Sequence, residues 1–491
     1  MNDAMNNDTM NEDIFTADFK QTPFWWERTP RPDFRCGGGG DGGGGDGDGA
    51  NCNSDISDRD GANCNSNAGD RAGLPAAAEV LIIGSGYTGL SAAIQTARHG
   101  RHTVVVDAEQ AGWGCSSRNG GQVSTSLKPG FPLLAKKYGA PAALEILREG
   151  NNALAWIESF IADNNIDCDF RKVGRFHGAH SPRAFAQLQQ KIADIPDELN
   201  IGAYRIAPGE VRAEVGTDLY HGGVVYPHHA CLDPGRYHQG LLTCALQSGV
   251  DIVTGCRVNQ INRGKTGRKQ FTLDTSRGRI TAADVVVATS GYTGAATPWL
   301  RRRIIPIGSY IIATEPLPES TIARLLPGGR VVTDTRKLVV FYRTCPARRR
   351  ILFGGRVSLR ETDARRSAVL LHRQMSDLFP QLKSTRVSHS WFGFVGYSFD
   401  ETPHIGEHNG IHYSMGYCGS GISLASYFGM RAGLKVIGDR RAATALDNLT
   451  FPARAYYRGH PWFLAPTIGY YRWRDRREQR AARRKPIAAS R

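Results

Sequence analysis

The sequence is poor in several things at once. Its 10 cysteines, in 491 residues, include no C-x-x-C pair and no Cys/His spacing suited to a metal. That excludes a disulfide scaffold and a structural zinc, leaves no metal expected, and points to reduced thiols in a cytoplasm. No apolar run is long enough to span a bilayer; the most apolar window, 80–94, is broken by Gly84, Gly86 and Gly89. The first fifteen residues are acidic and Asn-rich and lack the basic and apolar regions of an export signal, so none is expected. Acidic side chains are in deficit, 46 against 61 Lys+Arg, for a formal charge of +15.

That charge is unevenly spread. Residues 1–75 hold 14 acidic and 6 basic side chains, residues 301–350 hold 11 basic and 3 acidic, and residues 471–491 hold 9 basic and 2 acidic. The excess sits on one stretch of the core and on a tail, so no nucleic-acid partner is expected from it. Residues 36–75 are a Gly/Asp-rich low-complexity segment with a short repeat, D-G-A-N-C-N-S, at 48–54 and 60–66. Almost nothing in it can be buried, which predicts a disordered linker; the spacing is not that of a calcium loop. Upstream, residues 1–35 form an arm whose Phe24-Trp25-Trp26 is expected to dock on the folded body.

After the linker the pattern is α/β. Strand 79–83, helix 88–97 and strand 103–106 open it, followed by helical stretches 142–162 and 183–195. Asp233-Pro234 starts a helix to Leu246, strands follow at 250–254 and 284–288, and residues 304–356 are β-rich. Strand 411–415 and helix 422–437 close the core.

Between the first strand and helix lies Gly84-Ser85-Gly86-Tyr87-Thr88-Gly89, a G-x-G-x-x-G. Its first glycine permits a tight turn, its second lets a pyrophosphate approach the helix N-terminus, and its third allows close helix–strand packing. Asp107 ends the second strand, where an acid accepts hydrogen bonds from ribose hydroxyls and disfavours a 2′-phosphate. The segment G-W-G-C-S-S-R-N-G-G-Q at 112–122 follows, a small-residue loop with one Arg that a simple NAD-binding unit does not need. Near the other end, Gly416-Tyr417-Cys418-Gly419-Ser420-Gly421 opens a second helix, whose N–H donors suit a developing anion.

These segments, with V-V-V-A-T-S-G-Y-T (285–293), I-I-A-T-E-P-L (311–317), R-I-L-F-G-G-R (350–356) and P-H-I-G (403–406), resemble the FAD-dependent glycine/D-amino-acid oxidase superfamily, most closely its γ-glutamylputrescine oxidoreductase group. The resemblance runs from about residue 76 to 475. It implies a Rossmann-like FAD-binding domain assembled from 76–130, 222–298 and 392–450, a β-sheet substrate domain from 131–221 and 299–391, and a C-terminal extension, 451–491. On its motif positions, Gly84, Gly86, Tyr87, Thr88, Gly89, Asp107, Ser117, Arg118, Asn119, Gly120, Gly121, Val258, Gly291, Gly419, Ser420, Gly421 and Ile422 are expected to contact FAD. Positions that carry a covalent Cys or His in some members are occupied otherwise here, so non-covalent FAD is implied.

The implied chemistry is oxidation of the C–N bond of an amine or amino acid, with a γ-glutamyl amine or N-substituted amino acid among the substrates. Hydride passes from the α-carbon to flavin N5, and the imine is hydrolysed. No side chain need act as general base. Arg343, inside the apolar run 339–342, is the expected clamp on a substrate carboxylate. Tyr342, Tyr310, Trp391 and His404 are further pocket candidates, each with an ordinary core role as the alternative. Cys115 and Cys418 are expected to be packing residues. No lysine occupies 351–356, so a dehydrogenase with a carrier other than oxygen stays open beside an oxidase. An RNA-modifying flavoprotein, and a peripheral membrane enzyme anchored by Tyr470, Tyr471 and Trp473, are the weaker alternatives; the first lacks residues for an RNA-binding domain, the second a long apolar face. The oligomeric state is left open.

Overall fold

The computed structural model describes residues 14–31, 73–264, 270–356 and 363–483. The expected linker, 36–75, lies outside the described residues except for 73–75, as do the last eight residues of the basic tail.

One sheet is built on runs of valine and isoleucine. Ala77–Ile83, Thr103–Val106, Asp251–Val253 and Gly278–Val287 are its parallel core, joined by Ile411–Met415 beside 285–287. Such runs suit strands covered on both faces. Val80 and Ile82 meet Leu90, Leu241 and Leu424 of helices Tyr87–Arg98, Pro234–Gln247 and Gly421–Val436, while Leu81, Val104, Val106 and Val285 face Leu300 and Phe451. The strands Val258–Arg263 and Phe271–Thr275 extend the sheet as an antiparallel meander.

The second sheet has nine strands, in the order Phe15–Lys20, Val387–Tyr397, Ile305–Thr314, Ile351–Gly355, Val340–Thr344, Val331–Asp334, Arg175–Gly178, Gly223–Tyr226, Tyr204–Ile206. Its far face is apolar: Phe176, Tyr310, Ile312, Val332, Tyr342 and Phe353 pack with Leu371 and Met375 of helix Ala364–Leu378. Because strand side chains alternate, Arg175, His177, Thr333, Phe341 and Arg343 belong to the opposite face. That face meets the loop 112–122: Gly120 packs on Phe341, and Arg343 bonds the Gly121 carbonyl.

Two segments join the sheets. Strand Gly223–Tyr226 pairs with Arg175–Gly178, so the chain leaves the nine-stranded sheet a few residues after position 222. The N-terminal arm contributes an edge strand, paired in parallel with Val387–Tyr397, and then a turn that buries Trp25 completely against Ile311 and Trp391. The aromatic run Phe24-Trp25-Trp26 stands out in the sequence; the edge strand was not assigned there, although F-T-A-D-F-K alternates apolar and polar residues, with Phe15 alone buried.

Candidate functional site

The G-x-G-x-x-G turn lies at the carboxyl ends of the parallel strands. Gly84 has φ +106°, and its N–H donates to the Val106 carbonyl at 2.8 Å. A Cβ on Gly86 would stand 2.8 Å from Ser116 Oγ, and one on Gly89 only 1.8 Å from the Gly84 carbonyl oxygen. The third glycine therefore sets helix Tyr87–Arg98 directly against its strand. Gly86 itself brings no capping side chain to that helix, so the cap it receives comes from the neighbouring loop. The Tyr87 N–H is steadied by Ser116 Oγ at 3.0 Å, and the Tyr87 hydroxyl donates to the Pro234 carbonyl at 3.2 Å. Asp107 follows strand Thr103–Val106; its Oδ2 accepts from Ser85 N–H (2.8 Å) and Oγ (2.6 Å), its Oδ1 from Glu109 N–H (3.0 Å). Burial raises its pKa against those hydrogen bonds.

His238 holds the turn from below. Arg31 Nη1 donates to its Nδ1 at 3.1 Å, so Nε2 carries the proton and donates to the Ser85 carbonyl at 2.8 Å. Burial, then the Arg31 charge, depresses its pKa to about 3. Burial likewise depresses His177 to about 3 and His229 to about 2. The unfolded chain thus binds more protons than the folded one between about pH 6.5 and pH 3, and stability present above pH 6.5 is lost through that window. The urea midpoint is expected to fall steadily as pH drops from 6.5 to 4. In His238→Gln, whose amide still donates, the slope should be visibly shallower; equal slopes would remove His238 from the account.

Loop 112–122 is strapped by the arm. Trp25 Nε1 donates to the Asn119 carbonyl (3.0 Å) and Trp26 Nε1 to Ser117 Oγ (2.9 Å). Asn119 Nδ2 reaches the Ser116 carbonyl (2.9 Å) and its Oδ1 accepts from Gly121 N–H (2.8 Å). Arg118 lies between the Trp113 and Trp26 rings, 4.3 and 4.7 Å from their centroids, and its Nε donates to the Trp113 carbonyl at 2.7 Å. Gly291 sits in the turn Ser290–Tyr292, where a Cβ would come 2.7 Å from the Phe394 carbonyl oxygen. Val258 begins the outer strand, at a register irregularity.

The second glycine-rich turn converges on the first. Tyr417 OH and Thr88 Oγ1 are 2.8 Å apart. Cβ atoms on Gly429 and Gly433 would fall 2.4 and 2.5 Å from the Thr88 and Ala92 carbonyl oxygens, so the two helices touch backbone to backbone. That register sets the Gly421 end roughly 10 Å beyond the Tyr87 end. Helix Gly421–Val436 has no side-chain cap at Ser420; a Cβ on Gly421 meets nothing within 4 Å, and one on Gly419 meets only the Tyr397 hydroxyl. Ile422 is buried in the core behind them. Two glycine-rich helix ends, an acid at a strand end and glycine-lined cradles fit a dinucleotide-containing group such as FAD. Cys115 and Cys418 have thiols pushed up to about 11, chiefly by burial, and so stay protonated.

The substrate candidates fare differently. Tyr310 and Tyr342 are on the far face of the nine-stranded sheet, sealed under helix Ala364–Leu378, with Tyr342 OH on Tyr220 OH; this corrects the expectation that they line a pocket beside the loop. Trp391 is fully buried and donates Nε1 to the Arg118 carbonyl at 2.9 Å. Arg343, 2% exposed, donates Nη1 to the Gly121 (2.9 Å) and Leu232 (2.8 Å) carbonyls and Nε to that of Thr344 (2.9 Å), which makes it a brace of the loop. His404 stacks on Phe451 and pairs with Asp400 Oδ1 at 3.0 Å. Sequence reasoning missed Tyr397, which borders Gly419, Lys128, which bonds the Tyr397 hydroxyl, and Arg175, which bonds Ser126 Oγ. No motif marks them; only strand alternation from Phe176 could have pointed to Arg175.

Among the described residues no helix is long and apolar enough to cross a membrane. The family described as FAD dependent oxidoreductase matches residues 79–432. The chain is 30% identical over 412 residues to a probable oxidoreductase, OrdL, of Rhizobium meliloti (strain 1021), covering 81% of this chain and 92% of that one. It is 29% identical over 406 residues to the γ-glutamylputrescine oxidoreductase of Escherichia coli (strain K12), covering 81% and 93%. In three dimensions it is similar to glycine oxidase from Geobacillus kaustophilus, with a TM-score of 0.64 at 17% identity over 78% of this chain and 100% of that one. With the glycine cradle, the strand-end acid and this match over most of the folded chain, the protein belongs to the family of FAD-dependent oxidoreductases.

Proposed function

We propose that the protein is a flavin amine oxidoreductase that oxidises the C–N bond of an amine or amino acid, with γ-glutamyl amines and N-substituted amino acids within its substrate class. The observation that carries this is the pair of glycine-rich helix ends, at Gly86 and Ser420, whose own N-cap residues supply no side-chain cap and which the Thr88–Tyr417 contact binds into one unit. The relatives add the chemical class, since one is named for a γ-glutamylated amine and a structural neighbour for glycine.

Bound non-covalently, FAD supplies the two-electron acceptor for a hydride from the substrate α-carbon. The chain supplies the rest. Gly86 would bring the helix N-terminus to a pyrophosphate, Asp107 would accept from ribose hydroxyls, and the 419–422 turn would present donors and helix dipole to the ring edge that gains charge. Arg118, Asn119 and the two tryptophans keep the loop in one conformation. A cytoplasmic location accompanies this reading, and the seven cysteines in the described residues are all free thiols.

Purified protein is expected to be yellow, to release FAD into the supernatant on acid precipitation, and to bleach anaerobically with a primary or secondary amine. Readmitting air then separates an oxidase from an enzyme that needs another acceptor. Colourless protein that cannot take up FAD sinks the proposal.

A further inference from the structure

The carboxyl-terminal extension gathers apolar side chains that the fold leaves in water. Among the described residues nine large hydrophobic side chains stand exposed, and four of them lie here: Tyr456, Trp462, Tyr470 and Trp473, each 55–58% exposed. The other five sit on separate segments between Leu133 and Val339, as isolated exposed hydrophobics commonly do.

Helix Leu464–Arg483 explains the grouping. Ile468 and Asp475, seven residues apart, are buried on its inner side. The exposed positions Pro466, Tyr470, Trp473, Arg477 and Arg480 follow one another at intervals of four, three, four and three, which is one face of a helix. Trp462 stands just ahead of that face, its ring centroid 6.2 Å from that of Tyr456. The Tyr470 and Trp473 centroids are 6.0 Å apart, and the Arg477 guanidinium carbon lies 5.5 Å from the Trp473 ring. Tyr471, grouped with these in the sequence, is half-buried.

Both acids of residues 451–491 are turned inward. Asp475 accepts from Lys337 N–H and Leu338 N–H, each at 3.1 Å, and Glu478 accepts from His180 Nε2 and Arg474 Nε, each at 3.1 Å. These bonds clamp the helix to the substrate-sheet side of the fold. They leave Arg454, Arg458, Arg476, Arg477 and Arg480 exposed, with no carboxylate partner among the described residues. The outer surface is therefore aromatic and of one sign.

We infer that this face adsorbs to an anionic lipid surface, with its rings at headgroup depth and its arginines on lipid phosphates. Indole and phenol rings suit a boundary that is apolar on one side and wet on the other. A guanidinium matches a phosphate, and a leaflet rich in acidic lipid carries one sign throughout. A second copy docked symmetrically would set the same arginines against each other with no acid between them. The lack of a long apolar face, which counts against insertion, leaves adsorption open, so the contact is peripheral. The inference is independent of which amine the enzyme oxidises.

The test uses the full-length, FAD-loaded protein and vesicles of equal parts phosphatidylglycerol and phosphatidylcholine, with phosphatidylcholine alone as the neutral comparison. Co-sedimentation should saturate on the anionic vesicles, be absent on the neutral ones and weaken as salt is raised. Tryptophan emission should move to shorter wavelength in the same titration. Trp473→Ser should weaken binding roughly ten-fold and Arg477→Gln about five-fold. Leu246→Ser, exposed elsewhere on the molecule, should bind as the wild type does. All three side chains are exposed, so FAD content and thermal midpoint should stay at wild-type values. No sedimentation with anionic vesicles, equal sedimentation with neutral ones, or binding that neither Trp473→Ser nor Arg477→Gln weakens overturns the inference. So does a wild-type dimer that ignores vesicles and falls to monomers in Trp473→Ser, which would give the face to a second copy.

Discussion

Gly89→Ala is expected to give protein that holds less than about a tenth of the FAD bound by the wild type, because the single added carbon has nowhere to go. Its ideal position is 1.8 Å from the Gly84 carbonyl oxygen, 3.0 Å from the carbon of the same carbonyl, and 3.3 Å from Ile82 Cγ2. The first two are backbone atoms of the glycine-rich turn proposed to hold the pyrophosphate, so no side-chain rotation relieves the clash. Nor can helix Tyr87–Arg98 retreat. On its other side Gly429 and Gly433 bring helix Gly421–Val436 against the Thr88 and Ala92 backbone, and a displacement there runs into that contact. Overpacking of this kind costs about 1–3 kcal/mol or more in a tight core. The measurement is the ratio of flavin to protein absorbance after gel filtration, with Gly209→Ala as control, where an added Cβ meets nothing within 4 Å. A yellow Gly89→Ala protein of normal thermal stability would show that the turn tolerates what its geometry forbids.

Arg343→Met is the second large effect, and it separates two roles for one residue. A carboxylate clamp would lose substrate affinity and little else. The structure instead commits Nη1 to the carbonyls of Gly121 and Leu232 and Nε to that of Thr344, with Nη2 alone lacking a partner. Leu232 N–H also donates to the Gly121 carbonyl at 2.9 Å, so the guanidinium closes a knot between the cofactor loop and the start of helix Pro234–Gln247. Methionine fills the volume but removes the guanidinium's hydrogen bonds, which leaves the Gly121 carbonyl with the Leu232 N–H alone and takes the Arg343 donor from the Leu232 carbonyl, at about 1–3 kcal/mol for a buried group left unpaired. The expected result is a clear drop in the urea midpoint together with faster FAD loss. Arg343→Lys should restore little of it, since one ammonium cannot span the carbonyls as the planar fork does. Unchanged stability and cofactor retention, with only the half-saturating substrate concentration raised, would return Arg343 to the substrate.

The two residues also mark what kind of information was legible. Gly89 acts on an atom five residues away in sequence, the Gly84 carbonyl, and the strand, turn and helix around it follow from local apolar periodicity. The limits expected for strand 79–83 and helix 88–97 differ by only a few residues from Ala77–Ile83 and Tyr87–Arg98. Arg343 meets partners 111 and 222 residues distant, and no spacing rule connects them. Its aromatic neighbours read as pocket walls; the register of four strands and the helix Ala364–Leu378, which the sequence reading did not assign, put Tyr342 and Tyr310 on the other side of the sheet. One residue along a strand reverses the face, and only the completed sheet decides which face is which.

By itself, then, the sequence determined the family and the strand–turn–helix around Gly84–Gly89, because glycine positions, helix starts and a strand-end acid act through backbone geometry within a few residues of one another. Even the deficit of acidic side chains was visible, though not its meaning. The tertiary structure decided where the cations stand: Arg343 turned inward to hold a loop, Arg175 set against the Tyr226 ring, and Lys128 brought to Tyr397 and Glu401, none of them marked by any motif. Charge is counted along a chain, but its effect depends on which groups the fold brings within a few ångströms and which it keeps from water.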